Sequence, residues 1–338
     1  MRNRTENSES TSWAEKGHVV AYDQHPLPNE STGKSTGLSS EKQLVIETTP
    51  ESYTLTADGL LVEINRKTGV LQRWDLDGVP IILSPLKSNF WRAHTDNDQS
   101  RGHGLKHLLS EWEHAAIQMS LEHIEASRID DGSVQISASY NIPVGNTTYS
   151  KKYTVSGSGQ IRIQTDINPD PDKAPMMRLG MQVKIPPSLE NTEWYGRGPH
   201  ETYKDRKTGA LIGIYSEKTK DLAFEYVRPQ ENGNRTDVRW VSFTDSLGNG
   251  FIASGSPRMN FSAWPYTQQQ LEEATHTWQL PQENSFFTLN LDYGQMGVGG
   301  DTSWMTTARP HPQYRLMPKP YSYEILLTPI TGAKLDSK

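Results

Sequence analysis

From Val134 to Ile142 the chain alternates without a break. Val134, Ile136, Ala138, Tyr140 and Ile142 are apolar, and Gln135, Ser137, Ser139 and Asn141 between them are polar. Successive side chains of a strand point to opposite faces, so a period of two dictates a sheet with one buried and one wet face. The pattern continues: Tyr149, Lys151, Tyr153 and Val155 precede Ile161, Ile163, Thr165 and Ile167, with Gly157-Ser158-Gly159 between them. That arrangement predicts a hairpin closed by a glycine-bearing turn. Short strands punctuated by Asp58-Gly59, Thr68-Gly69 and Asp77-Gly78 are expected over 53–82, and less regular ones near 238–243, 250–254, 286–291 and 321–327. The spacing of Leu105, Leu108, Leu109, Trp112, Ala115 and Ala116 makes one apolar stripe and predicts the single short helix. With 26 Gly and 21 Pro in 338 residues, breakers also favour strands over helix bundles. The expected fold is all-β, a large, mostly antiparallel β-sandwich with one short helix.

Organisation along the chain follows composition. Residues 1–43 read as a polar head, an isolated strand at His18-Val19-Val20-Ala21-Tyr22, and a Ser/Thr/Gly/Pro-rich tether over 26–42. A lone strand cannot bury its faces, so its partners are expected elsewhere, and the head is expected to be poorly ordered in the isolated chain. Residues 44–332 form the main domain and 333–338 a tail. A net charge of −6 argues against a nucleic-acid partner, which needs a concentrated basic face. No apolar run is long enough to span a membrane, and residues 1–12 lack the apolar stretch of a secretory signal, so a cytoplasmic chain is expected. The absence of cysteine removes disulfides, thiol nucleophiles and thiolate metal sites together, without locating the protein.

The chemistry-bearing stretch is Met296-Gly297-Val298-Gly299-Gly300-Asp301-Thr302-Ser303-Trp304. Its small residues build a tight, bare-backbone loop directly ahead of a large aromatic ring. Composition alone favours an ordinary core tryptophan after a turn; the other reading turns the ring toward a sugar, whose C–H face packs on indole. The run Gly297-Val298-Gly299-Gly300 is no phosphate loop, since the lysine and receiving helix are missing. Glu201 and Glu231 invite reading as the carboxyl pair of a retaining glycosidase, which stands about 5–5.5 Å apart. The plainer reading makes each an acceptor that pins an irregular loop, with Arg206 and Arg235 at hand. Asp96, Asn97 and Asp98 supply too few donors for a cation and read as a polar turn. His103 and His107 share helical spacing without the glutamate of a zinc-protease motif, and with His114 they read as a solvated face.

Four segments carry a family resemblance: Asn89-Phe90-Trp91-Arg92-Ala93-His94-Thr95-Asp96-Asn97-Asp98, Trp194 through Arg206, Tyr226 through Arg235, and the loop ending in Trp304. In their order and spacing they resemble the C-terminal domain of lacZ-type β-galactosidases, family 2 glycoside hydrolases, which some bacteria encode as a separate small subunit. His94 departs from the proline often found there. The resemblance implies a two-layer, galactose-mutarotase-like β-supersandwich. It also implies that the two catalytic glutamates belong to a TIM barrel on a large chain, so no catalytic residue is expected here. A barrel of eight βα units takes about 250 residues and has no counterpart in this chain. Trp304, with Asp301 and Ser303 beside it, is implied to contact a β-galactoside, chiefly on its aglycone side. No cofactor is expected in this chain, the family's Mg and Na being held in the large-chain part, and a hetero-oligomer with that large chain is implied. Trp13 through Ala21 resembles the last strand of the immunoglobulin-like domain that precedes this one in full-length enzymes. Two alternatives stand beside this reading: a stand-alone aldose 1-epimerase, using His200 with Glu201 or His276, and a non-catalytic carbohydrate-binding module that keeps Trp304 as its contact.

Overall fold

The computed structural model describes residues 2–25, 42–99, 105, 108–129, 133–281 and 285–332. Contacts divide the chain into two compact units, Met1–Gly37 and Leu38–Lys338. In the first, Arg2–Glu6 pairs antiparallel with Val19–Gln24. The strand expected to stand alone near Val19 therefore finds its partner inside the polar head. An Arg-Asn-Arg-Thr-Glu run has no apolar alternation to announce a strand, and the pairing is carried by backbone hydrogen bonds. Residues 26–41 of the expected tether and the 333–338 tail lie outside the described residues.

The second unit is built on a 12-stranded sheet. Its main path runs Leu211–Lys218, Asn191–Gly198, Arg235–Thr244, Gly250–Trp264, Tyr321–Ile330, Ile161–Asn168, Thr148–Val155, Val134–Asn141, Ser120–Arg128, each strand antiparallel to the next. The expected hairpin is present, with Tyr149 opposite Ile167 and Tyr153 opposite Ile163. Gly159 closes it at φ +86, a backbone angle that side chains disfavour. Gly250–Trp264 is the pivot of the architecture. On one edge its first half pairs with Tyr321–Ile330, while its second half pairs with Phe287–Gln295. Phe287–Gln295 in turn pairs with Arg178–Ile185, which also carries the short strand Lys87–Asn89. One strand thus feeds two sets of neighbours, and the sheet curls. A second sheet of five antiparallel strands, Val45–Thr48 to Val79–Pro80, joins the same core, where Trp74 meets Phe251 edge-on at 5.6 Å.

The antiparallel all-β architecture is the expected one. Several of its strands were nonetheless silent in sequence. Arg178–Ile185 is buried at six of eight positions, so it shows no alternation to read. The described part of the 105–116 stripe does not form the one continuous helix expected. Over the described part of that stretch there is a 3₁₀ turn at Ser110–Trp112 and a four-residue helix at Ala115–Gln118. The stripe was right about burial at Leu105, Leu109, Trp112 and Ala115, which face the core, but not at Leu108, which is exposed. Tertiary bonds set the backbone instead: the Trp112 indole donates to the Ala174 carbonyl at 2.8 Å, and the Glu111 carboxylate accepts from the Ala174 amide at 2.9 Å. A further helix, Gln268–Glu273, opens with a reciprocal capping box between Thr267 and Gln270, a signal the sequence did contain. No helix among the described residues is long and apolar enough to cross a membrane.

Candidate functional site

The four motif segments, up to 200 residues apart, converge on one open cleft of about 640 Å³. Thr95, Asp96 and Asn97 come from the first, Tyr203, Asp205 and Arg206 from the second, Tyr226, Gln230 and Glu231 from the third, and Val298, Gly299, Gly300 and Ser303 from the fourth. His311 and Tyr314 complete the lining.

Beneath the cleft lie two arginines with no exposed side-chain surface. Arg92 grips Asp98 through Nη2 at 2.9 Å and Nε at 3.1 Å. Burial pulls the Arg92 guanidinium toward losing its proton, but the Asp98 carboxylate outweighs it, and the group is held charged more firmly than usual. Asp98 also accepts from the Thr95 amide at 3.0 Å, and Thr95 Oγ1 accepts from the Asp98 amide at 3.2 Å. The acidic tripeptide, expected as a polar turn, is instead the start of the four-residue helix Asp96–Gln99, stapled at its head by the reciprocal Thr95–Asp98 bonds. Arg178 donates to Glu231 at 2.8 Å and lies 3.3 Å from Asp292 without the alignment of a hydrogen bond, so that second attraction acts through space. Burial raises the Glu231 carboxyl above its ordinary range despite Arg178, and pushes Asp292 up to about 7.

The wall is the glycine-rich loop, and its backbone is held from three directions. Arg92 donates to the carbonyls of Met296 at 2.6 Å and Gly297 at 2.8 Å. Asp205 accepts from the amides of Val298 at 2.9 Å and Gly299 at 2.8 Å. Asn97 donates to the carbonyls of Thr302 and Ala308, each at 3.2 Å. Close approach explains the small residues: a Cβ on Gly300 would lie 2.4 Å from the Thr307 carbonyl oxygen. The Trp304 carbonyl accepts from the hydroxyls of Thr302 and Thr307. Met305 follows at φ +62, a conformation non-glycine residues adopt only when their surroundings enforce it. Trp304 itself is 59% exposed, so it is not a core tryptophan. Ser303 lines the cleft, and Asp301 is paired with His311 Nε2 at 2.8 Å on the exposed rim.

The two glutamates prove to be pins. One Glu201 oxygen accepts from Arg206 and from the Tyr226 hydroxyl, and the other accepts from the Gly233 amide at 2.7 Å. Glu231 accepts from Arg178 at one oxygen and from Gln295 at 3.1 Å at the other. Each of the four carboxylate oxygens accepts at least one hydrogen bond from within the protein, as expected of groups that pin irregular loops. Arg206 is the partner expected for Glu201. Arg235 is not the partner of Glu231; it donates to the Gly233 carbonyl at 2.6 Å, packs over the Trp194 ring, and burial lowers its pKa to about 10. The residue that does the work, Arg178, lies between apolar neighbours Met177 and Leu179. A solitary arginine in such a run was the available signal, and it was missed along with Asp292, Gln295, His311 and Tyr314.

Apart from His311, no histidine among the described residues lines the cleft. His114, His200 and His276 are exposed; none lines the cleft, and His276 stacks on Trp278. His103 and His107 lie outside the described residues. His94 is buried, 2.6 Å from Glu272. Among the described residues no group of three or more His, Cys, Asp or Glu is placed to hold a metal ion.

Comparison with known proteins agrees with this geometry. The family described as "Beta galactosidase small chain" matches residues 56–327. Among curated relatives, the "Beta-galactosidase" of Priestia megaterium is 32% identical over 311 residues, covering 91% of this chain and 29% of its own length. That of Lactobacillus delbrueckii subsp. bulgaricus is 35% identical over 230 residues, covering 67% of this chain and 22% of its own. The chain therefore spans under a third of the length of these relatives. Among solved structures, a galactose 1-epimerase from Lactobacillus acidophilus aligns at a TM-score of 0.47 and 11% identity over 87% of this chain and 100% of its own. A putative aldose 1-epimerase from Escherichia coli K12 aligns at 0.45 and 10% over 83% and 99%.

Proposed function

The chain belongs to the β-galactosidase small-chain family, and on that premise we propose that it supplies one wall of a sugar site whose catalytic glutamates lie on a large chain. The assembled hetero-oligomer hydrolyses terminal β-D-galactose from lactose-type galactosides with retention. One observation carries the reading: a 59% exposed indole stands on a loop anchored at both ends, next to a cleft in which Glu231 has both oxygens engaged by Arg178 and Gln295. Such a site positions a ligand and leaves the bond-breaking to groups brought by a partner. Trp304 is the platform, with Ser303 on the cleft side and Asp301, steadied by His311, on the rim. The reading of Trp13 through Ala21 as the last strand of a preceding immunoglobulin-like domain belongs to the same proposal.

In this proposal the family's Mg and Na stay on the large chain. The Asp98 oxygens are taken by Arg92 and the Thr95 amide, and no other acidic cluster among the described residues offers a set. No step of the reaction is routed through a cation on this chain.

If one indole face loses ~80 Å² of apolar surface to a sugar, at about 25 cal/mol/Å² the contact is worth ~2 kcal/mol, on the order of thirtyfold in affinity. The chain alone is expected to leave a chromogenic galactoside intact, and its mixture with the large chain to cleave it. In that mixture Trp304→Ala should raise KM for lactose about thirtyfold. Lactose hydrolysis by the purified chain, or an unchanged KM in the variant, overturns the proposal.

A further inference from the structure

Asp205 does something its position near the cleft does not require. Its half-buried carboxylate faces backbone: Oδ1 and Oδ2 accept from the Val298 amide at 3.1 and 2.9 Å, and Oδ2 accepts from the Gly299 amide at 2.8 Å. Two successive N–H groups aimed at one point form the concavity that elsewhere binds a free anion. Here the anion is a side chain of this protein, supplied from 93 residues away. The fit is close, since a Cβ on Gly297 would lie 2.6 Å from Asp205 Oδ2. Charge-assisted bonds of this kind are stronger than those between neutral groups. On the same stretch Arg92 holds the carbonyls of Met296 and Gly297. Carbonyls are therefore drawn to a cation and the next amides to an anion, which fixes both the height and the direction in which the loop leaves the sheet.

We infer that Asp205 is a positioning residue: it is the built-in anion of the glycine-rich loop, and through that loop it sets where the exposed Trp304, next to the cleft-lining Ser303, stands. The consequence for substrate rests on the sugar-wall reading above; the consequence for the loop does not. Asp205→Ala deletes the carboxylate and leaves space for formate, an anion of the same chemistry. Gly297→Ala leaves Asp205 in place and pushes the carboxylate off the amides from the other side.

The test uses hydrogen exchange of peptides covering 296–305 in the purified chain, with circular dichroism and thermal melts to confirm folding. In Asp205→Ala, exchange of the Val298 and Gly299 amides should quicken by about tenfold, and added formate should slow it again where chloride does not. Gly297→Ala should quicken the same amides. In the enzyme assembled with its large chain, Asp205→Ala should raise KM by about tenfold with kcat nearly kept, and formate should lower it. The rise should shrink when Trp304 is already alanine, because the two residues act through one loop. Unchanged exchange in both folded variants overturns the inference, as does quickened exchange with unchanged KM when Trp304→Ala does raise KM. If Trp304→Ala leaves KM unchanged, the sugar-wall reading fails, while formate-reversible exchange still establishes Asp205 as the anion of the loop.

Discussion

Two buried charged regions of the large unit are built on opposite rules. Under the cleft, Arg92 and Asp98 are both sealed from water, and each finds its counter-charge and further backbone partners. On the inner face of the strand Thr148–Val155, Lys151 is as deeply buried, yet its Nζ has no hydrogen-bond partner among the described residues and lies 5.9 Å from the centre of the Tyr149 ring. The paired region ties loops to the sheet, so its cost of desolvation is offset and its product is a shaped wall. The solitary lysine holds no loop. Desolvation alone lowers its pKa to about 7, so near neutrality it resolves the conflict by giving up its proton. Buried charge is an architectural tool only where the partner is buried with it.

The largest effect should come from breaking the paired region. Arg92→Leu strands the Asp98 carboxylate and releases two loop carbonyls, and unpairing a buried ion of this kind costs about 3–5 kcal/mol. Urea denaturation should show that loss in the midpoint, together with a collapse of Trp304-dependent binding; a midpoint within error of the parent would dissolve the contrast. The unpaired region should respond in the opposite direction. Lys151→Met keeps the volume and removes the ion, so it should stabilise the fold by about 2–4 kcal/mol at pH 7. The sign follows from proton counting. Between about 7 and the ordinary lysine value of 10.5 the unfolded chain holds a proton the folded chain has shed, so native stability rises with pH across that window. The variant should lack that rise, and its advantage should vanish by the window's upper end. Melts from pH 6 to 10 distinguish the two curves.

What sequence revealed follows the same division. Alternating strands such as Val134–Asn141 have one wet face, so their period of two is visible and their location was legible to within a residue. Arg178–Ile185 and Phe287–Gln295 are covered on both faces, and the period disappears with the water. At the cleft, the motif segments were legible as segments because glycine, proline and tryptophan cluster there. Partnership was not. That Glu231 would take Arg178 rather than Arg235 depends on which segments become neighbours across a separation of 53 positions, and no local pattern encodes that. Lys151 is instructive in the other direction: its alternation with Tyr149 and Tyr153 placed it on the inner face correctly, against what its charge would suggest.

Asp292 sharpens the contrast because it shares a trait with each region: a buried ion beside it, and no hydrogen-bond donor among the described residues. It lies 3.3 Å from Arg178, which Glu231 already occupies, and neither of its oxygens has an aligned donor among the described residues. Burial pushes its pKa up to about 7; Arg178 opposes this and the Glu231 charge adds to it. Below about 7 the folded protein therefore carries Asp292 as a neutral acid, while the unfolded chain ionises it from about 3.8 upward. Across that window the folded state holds the extra proton, so this group makes stability fall as pH rises from about 4 to 7, the reverse of the Lys151 slope. Asp292→Asn keeps the shape and an acceptor for Arg178 but cannot ionise. It should flatten that fall and gain about 1 kcal/mol at pH 8, less than Lys151→Met, because it also removes a through-space partner of Arg178. A variant that instead loses stability at pH 8 would mean the Asp292 charge is needed by Arg178 at neutral pH, and would move Asp292 wholly into the paired region.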